Sequence, residues 1–546
     1  MNDAEQQFLN DLDKRLWTAA DKLRANLNPG DYMHVVLGLV FLKYVSDAFK
    51  ERREELKAAF VDPANDYYLG PDGADLIEQE LEARDYYTEK NIFWVPALAR
   101  WDFLKANAKV AIGTKLEVKN GKTFEYKFNG IGRLLDDALE AVEKENPGLK
   151  NVLDKSYARW RIDEALPGLI DLLATVPFKH ESLHAKDILG HVYEYFLGQF
   201  ASSEGKRAGE YYTPRSVVRL LVEMLEPYHG RIYDPCCGSG GMFVQSAEFV
   251  AAHGGKRNDI SVYGQEYTAA TWRLAKMNLA IRGIEANLGD RADDSFHRDL
   301  HPDLRADFVI ANPPFNVSDW YTDALRDDPR WKYGQPPAGN GNYAWIQHFV
   351  YHLSPHGVAG FILANGSLSS KTSGEGEIRK NLVKSNIVDC IVALPEKLFF
   401  NAGIPVVLWF LAKNRTGDGF RERKNEVLFI DARKLGHMET RTLRTLGTDD
   451  IAKISGTYHS WRNMDPEVAY SDVAGFCKAV SLEEVAANDF VLTPGRYVGA
   501  TEVEDDSEPI EEKIARLRQE LSVQFQESTR LQNLVLEVLE NLEAGT

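Results

Sequence analysis

The chain has 546 residues, 44% of them hydrophobic and 27% charged, and 64 basic against 82 acidic side chains give a formal charge of −18. At roughly 150 residues per domain, this implies three or four structural units of ordinary globular composition. The acidic balance argues against a large unaided nucleic-acid footprint, which is usually basic, but leaves room for an enzyme whose partner supplies the cationic surface.

The longest dense apolar run, Val35 to Leu42, is far shorter than the ~20 residues that span a bilayer. The opening residues Met1, Asn2, Asp3, Ala4 and Glu5 are polar and acidic, unlike a secretory signal. Four cysteines, two of them adjacent at Cys236 and Cys237, make neither a disulfide framework nor a CxxC metal pair. A cytoplasmic protein of several domains is expected. Collagen, a coiled-coil rod and a membrane protein are excluded.

Residues 1 to about 170 read mostly as helix. Phe8, Leu12, Leu16, Ala19, Ala20 and Leu23 keep helical spacing, and a second apolar segment runs from Tyr32 to Phe49 after the Asn28-Pro29-Gly30 break. From about 65 to 130 the pattern loosens, and Asn120-Gly121 predicts a hairpin through a type I′ turn. There are no repeats and no low-complexity tracts.

From about 180 to 415 short apolar strands alternate with amphipathic helices. Arg231–Asp234, Ile260–Gln265, Phe308–Ala311, Gly357–Leu363, Ile387–Leu394 and Val406–Ala412 predict the strands of a parallel α/β sheet. Two polar, glycine-bearing loops, Ser369–Glu377 and Lys413–Glu426, are candidate mobile segments or plain solvated connections. At the C-terminus Ile510, Ile514, Leu517, Leu521, Leu531, Val535, Val538 and Leu542 form a heptad seam, with Gln524 and Ser528 in the two missing positions. The seam packs either on its own domain or on another subunit. An acidic run, Glu502 to Glu508, reads as a linker before it.

Four signals carry chemistry. Directly after the strand Arg231-Ile232-Tyr233 comes Asp234-Pro235-Cys236-Cys237-Gly238-Ser239-Gly240-Gly241. Its glycines let the backbone turn tightly and approach a ligand, as at the nucleotide-cofactor corner of doubly wound sheets. The spacing is not GxGxxG, and a plain strand-to-helix turn is the alternative. The next strand ends in Glu266, where a ribose needs a carboxylate to accept from its two hydroxyls. A third acid, Asp294 or its neighbour Asp293, follows at the same edge and can accept from an adenine amino group.

The fourth signal decides the reaction. The strand Asp307–Ala311 runs into Asn312-Pro313-Pro314-Phe315. The prolines fix φ and remove two donors, so the Asn312 side-chain oxygen and the Pro313 carbonyl can accept from one planar NH2 group. Phe315 offers a face for a flat ring. An amine held this way is presented for in-line attack on a methyl group, and its proton can leave afterwards.

In this order, DPCCGSGG and NPPF resemble the S-adenosylmethionine-dependent amino-methyltransferases of DNA. Gly209-Glu210-Tyr211-Tyr212-Thr213-Pro214-Arg215 resembles that family's upstream cofactor-binding element. Leu16–Arg24, Phe41–Asp47 and Leu492-Thr493-Pro494-Gly495-Arg496-Tyr497 resemble the modification subunit of type I restriction–modification systems, over nearly the whole chain. The resemblance implies a mostly helical domain over 1–170. It then implies a class I, Rossmann-like S-adenosylmethionine-dependent methyltransferase domain over 171–480, and a tail with a long docking helix over 481–546.

Carried over, Glu210, Tyr211, Tyr212, Thr213, Pro214, Arg215, Asp234, Gly238, Ser239, Gly240 and Gly241 would line the cofactor site. Glu266 would hold the ribose, Asp294 or a neighbour the adenine, and Asn312, Pro313, Pro314 and Phe315 the target base. The implied partners are double-stranded DNA, a specificity subunit, a second modification subunit and, in some assemblies, a restriction subunit. A base must leave the duplex to reach such a pocket. Cytosine-N4 methylation, protein-glutamine N5-methylation and a non-catalytic assembly role are the alternatives. Thiol catalysis is disfavoured because Cys236 and Cys237 sit in the cofactor turn. His297, His301, His348 and His352 form no metal pattern with acids or cysteines in the sequence and read as surface or structural.

Overall fold

In the computed structural model the described residues are 3–21, 29–120, 122–160, 162–175, short pieces within 188–196, 213–399, 405–464 except 418, 469–499 and short pieces within 518–532. The N-terminal part opens with helices Asp3–Asp21 and Pro29–Val61. Leu9, Leu12 and Leu16 fill one face of the first. The second is buried nearly all round between Val35 and Ser46, which suits its unbroken apolar run. A hairpin pairs β1 (Lys115–Asn120) with β2 (Lys122–Lys127), Asn120 opposite Lys122, while Gly121 of the expected turn lies outside the described residues. One core joins these elements to Leu274, Met277 and Ile281 of the helix Ala269–Ile281. The helical part thus packs on the outside of the sheet domain.

The sheet domain contains β3 (Gly230–Asp234), β4 (Ile260–Gly264), β5 (Ala286–Asn287), β6 (Ala306–Ala311), β7 (Leu353–Ala364), β8 (Val388–Ala393), β9 (Val406–Ala412) and β10 (Glu426–Asp431). A small hairpin, β11 (His437–Met438) with β12 (Arg444–Thr445), precedes β13 (Cys477–Ser481). The order is β13-β10-β8-β9-β7-β6-β3-β4-β5. Helices Arg215–Leu225, Gly241–Ala252 and Thr448–Arg462 pack on one face. Asn342–His352 and Glu375–Lys384 pack on the other. Along β9, Leu408 and Phe410 join the first core and Val407, Trp409 and Leu411 the second. Side chains alternate across a strand, so a strand covered on both faces must be apolar throughout.

Three expectations change. The sheet is mixed, because β9 runs antiparallel to both β7 and β8, and β13 antiparallel to β10. A doubly buried strand has the same composition in either direction, and among the described residues no helix intervenes between β8 and β9 to force a parallel crossover. Strands β10 and β13 at one edge and the two-residue β5 at the other extend the sheet beyond the six strands expected from the sequence. The segment Lys413–Glu426 is tied down: Arg415 Nε donates to Asp389 at 2.8 Å, Arg423 Nε at 3.4 Å, and Arg421 donates to the Trp461 carbonyl. Leu492, Tyr497 and Val498 are buried in the core on the second face. Most of the heptad seam lies outside the described residues, but Gln524 and Leu531 are described and exposed.

Candidate active site

The parallel strands β3, β4 and β6 end at one edge of the sheet, and their following loops enclose a cavity of about 390 Å³. After β3 the chain turns through Gly238 and Gly240, with φ of 53° and 80°, the left-handed region that glycine enters without Cβ strain. The turn is stitched to the neighbouring strand. Cys237 N–H donates to the Gln265 carbonyl at 2.9 Å, and Gln265 N–H to the Asp234 carbonyl at 3.0 Å. Asn278 Nδ2 donates to the Ser239 carbonyl at 2.7 Å.

Four carboxyls line this cavity: Asp234, Glu266, Asp294 and, on the aromatic side beside Trp320, Asp319. Asp234 is buried, accepts from Cys236 N–H at 3.0 Å, and is pushed by burial up to about 7. Glu266 accepts from Gly238 N–H at 3.1 Å and Thr268 N–H at 2.9 Å, which fixes its plane against the turn. Burial raises its pKa although these backbone donors oppose it. A carboxylate has about four lone-pair sites, more than these two short bonds occupy, which leaves it able to accept from a ligand hydroxyl. Asp294 Oδ1 caps its own turn by accepting from Phe296 N–H at 2.7 Å. Asp293 does not line the cavity; it pairs with Arg291 at 3.0 Å and Arg298 at 3.2 Å.

Asn312 stands at the end of β6, its Nδ2 donating to Thr213 Oγ1 at 2.9 Å. That bond sets the amide orientation and leaves Oδ1 buried without a hydrogen-bond partner. An unsatisfied buried acceptor costs ~1–3 kcal/mol, which a ligand N–H would recover. Behind it, Asn316 and Asn342 brace the loop: Asn342 Nδ2 donates to Asn316 Oδ1, and Asn316 N–H to Asn342 Oδ1, both at 2.9 Å.

Of the residues singled out in the sequence, Thr213, Asp234, Gly238, Ser239, Gly241, Glu266, Asp294, Asn312 and Pro314 line one cavity. Pro214, Arg215, Gly240, Pro313 and Phe315 do not. Arg215 is exposed and meets Glu248 at 3.3 Å, while Phe315 is half-buried against both cores. Glu210, Tyr211 and Tyr212 lie outside the described residues.

The aromatic wall of the cavity is not among the residues that sequence patterns single out. Phe296, Trp320 and Trp345 line the cavity, with ring centroids 5.1 Å apart for Phe296–Trp320 and 4.3 Å for Phe296–Trp345. The Trp345 indole N–H is buried and unpartnered. Arg330 carries no sequence signal either, yet it is buried and donates to the Ser295 carbonyl at 2.9 Å and the Phe296 carbonyl at 2.6 Å. Asp328 fixes its fork through two bonds, at 2.7 and 2.6 Å. From the other side Ser295 Oγ donates to the Pro235 carbonyl at 2.6 Å, so the Asp294–Phe296 segment is held at both faces.

The histidines also gather where spacing alone showed no pattern. Ligand atoms of Asp299, His348 and His352 lie within 4.8 Å of one another. Their nitrogens already have partners: His352 meets Asp299 at 2.8 Å and the Leu304 carbonyl at 3.1 Å, and His348 meets Arg330 at 3.0 Å and Tyr233 at 3.3 Å. A guanidinium facing His348 Nδ1 opposes a cation there, so the cluster reads as a hydrogen-bonded brace behind the cavity.

Comparison with known proteins places this geometry. Residues 12–173 match the HsdM N-terminal domain, and residues 184–506 the N-6 DNA methylase family. The chain is 50% identical over 445 residues to the type I restriction enzyme HindI methylase subunit of Haemophilus influenzae, covering 80% of this chain and 97% of that one. It is 38% identical over 540 residues to the MjaIX methylase subunit of Methanocaldococcus jannaschii, covering 97% and 91%. The crystal structure of a type I restriction–modification methyltransferase subunit from Streptococcus thermophilus superposes with a TM-score of 0.70 at 25% identity, covering 90% of this chain and 99% of that one. The chain belongs to the N-6 DNA methylase family and, within it, to the methylase subunits of type I restriction–modification systems.

Proposed function

We propose that the chain transfers a methyl group from S-adenosylmethionine to N6 of an adenine turned out of duplex DNA, at sites chosen by a separate specificity subunit. The observation that carries this reading is the buried, unpartnered Asn312 oxygen in a cavity that also holds Asp234, Glu266 and Asp294 at the glycine-turn side.

The cavity fits the cofactor on the chemistry of its donors and acceptors. Its volume of about 390 Å³ lies within the ordinary range for small-molecule sites. Glu266 retains acceptor capacity for the ribose hydroxyls, the Asp294 segment faces the place of the adenine, and Asp234 offers a carboxyl to a cationic ligand. When bound, S-adenosylmethionine supplies a methyl group activated by its sulfonium.

The chain's own residues orient the acceptor. Asn312 Oδ1 accepts from the N6 amino group, which keeps electron density on the nitrogen and turns it toward the cofactor side of the cavity. Pro314, Trp320 and Trp345 supply apolar walls that exclude water. No strong base is required, because the amine loses its proton after the new bond forms. A flipped base costs a few kcal/mol of unstacking, which stacking against an aromatic wall offsets in part. A second copy of this chain and the specificity subunit complete the methylating assembly, and a restriction subunit joins where cleavage is coupled.

Single-molecule sequencing of native host DNA tests the reading. With Asn312→Ala, N6-methyladenine should vanish from one split recognition sequence, while calorimetry still detects S-adenosylmethionine binding. An unchanged adenine pattern would overturn it, and a lost N4-methylcytosine signal would move the base to cytosine.

A further inference from the structure

We propose that the β11–β12 hairpin, with Lys397 beside it, is a contact surface for the phosphate backbone of duplex DNA. The proposal rests on the methyltransferase reading above and gives that reading a DNA-facing element within this chain.

The chain as a whole carries −18, yet between Arg433 and Thr445 there are four cations, Arg433, Lys434, Arg441 and Arg444, and one acid, Glu439. Arg433, Lys434, His437 and Arg441 are exposed, as is Lys397. Lys397 and Arg441 have no acidic partner among the described residues.

The cations are mounted on a braced ribbon. Arg444 Nη1 donates to the Leu435 and Gly436 carbonyls at 3.1 and 2.9 Å, and Arg444 N–H donates to the Lys397 carbonyl at 2.8 Å. Arg433 is held by Asp431 and lies against Gly495, where a Cβ would come within 2.9 Å of its Nη2. Lys397, Arg433 and Arg444 line a second cavity of about 350 Å³.

Position makes the ribbon relevant to the reaction. β8 and β10 run parallel to β6 in direction, so Lys397 and Arg433 follow the same sheet edge as Asn312. β8 lies three strands and β10 four strands from β6, about 14 and about 19 Å at ~4.8 Å per strand. Those offsets are on the order of the ~12 Å width of a major groove, and long Lys and Arg side chains close part of the difference, so phosphates flanking a base delivered to Asn312 fall within reach of the cations. Exposed Lys and Arg side chains on such a ribbon suit phosphates and carry no sequence information, which agrees with reading by a partner.

The test uses the full chain co-purified from its host with its partner subunits, and a labelled mixed-sequence duplex as probe. The triple variant Lys397→Gln, Lys434→Gln, Arg441→Gln is compared with wild type as salt is raised. At ~0.9 per phosphate contact, the slope of log affinity against log salt should become shallower by about 2 to 3. S-adenosylmethionine binding and elution as an assembled complex should be unchanged. An unchanged slope with a wild type that binds DNA would overturn the hairpin proposal alone. Loss of assembly would reassign the hairpin to a protein partner. A wild-type complex that binds no duplex would overturn the proposed function and the hairpin with it.

Discussion

Two buried carboxyls in the sheet domain respond to pH in opposite directions. Asp234 titrates near about 7 because burial disfavours its charge. Its folded value exceeds the unfolded ~3.9, so the stability it contributes is complete below that lower value and is lost as pH rises through about 7. Asp389 is also pushed up by burial, but Arg415, Arg423, Arg462 and Tyr458 outweigh this and hold it below the usual range. Its contribution is present above about pH 4 and disappears as acid is added. The ligand-free protein should therefore melt lower at about pH 8 than at about pH 6, and Asp234→Asn should flatten that slope in a thermal-shift series. A slope unchanged by the substitution would remove Asp234 as its source.

At the scale of elements, the Asp294–Phe296 segment depends on one buried side chain. Replacing Arg330 by Met removes both carbonyl clamps and leaves Asp328 without its partner. We expect KM for S-adenosylmethionine to rise about tenfold, a difference of ~1.4 kcal/mol, with kcat at saturation changed much less. Arg330→Lys should not rescue it, because an ammonium lacks the planar fork that reaches two carbonyls. Initial-rate kinetics separates these outcomes, and an unaltered KM would show that the Ser295 bond to the Pro235 carbonyl suffices. Arg330 also marks where legibility ends. Glycines after a strand, an acid at the next strand end and Asn-Pro-Pro-Phe are local patterns, so the cavity's turn, Glu266 and Asn312 are readable from the sequence. Arg330, Trp320 and Trp345 converge from separate stretches of chain, and a tryptophan within the helix Asn342–His352 looks like core whether or not it also walls a site. Strand positions are legible for the same local reason, whereas the direction of β9 depends on its neighbours.

The whole molecule joins a helical core to the sheet domain through the helix Ala269–Ile281, whose other face packs beneath the glycine turn. Movement of the helical part therefore bears directly on the glycine turn that lines the cavity. We propose the C-terminal heptad as part of the docking surface for a partner subunit, so truncation before Glu511 should weaken complex formation with the partner subunits and leave cofactor binding intact. Size-exclusion chromatography with calorimetry checks both, and unchanged assembly would return the seam to intramolecular packing. The lone oxygen of Asn312 has a further consequence. A base bearing a keto oxygen in place of the amine would set two acceptors face to face, leaving both desolvated and unpaired, whereas an amine relieves the deficit. Under the proposed function, discrimination would be divided between two bodies: a partner would decide where along the duplex the enzyme stops, and one amide would separate bases that present an amine from those that present a keto oxygen.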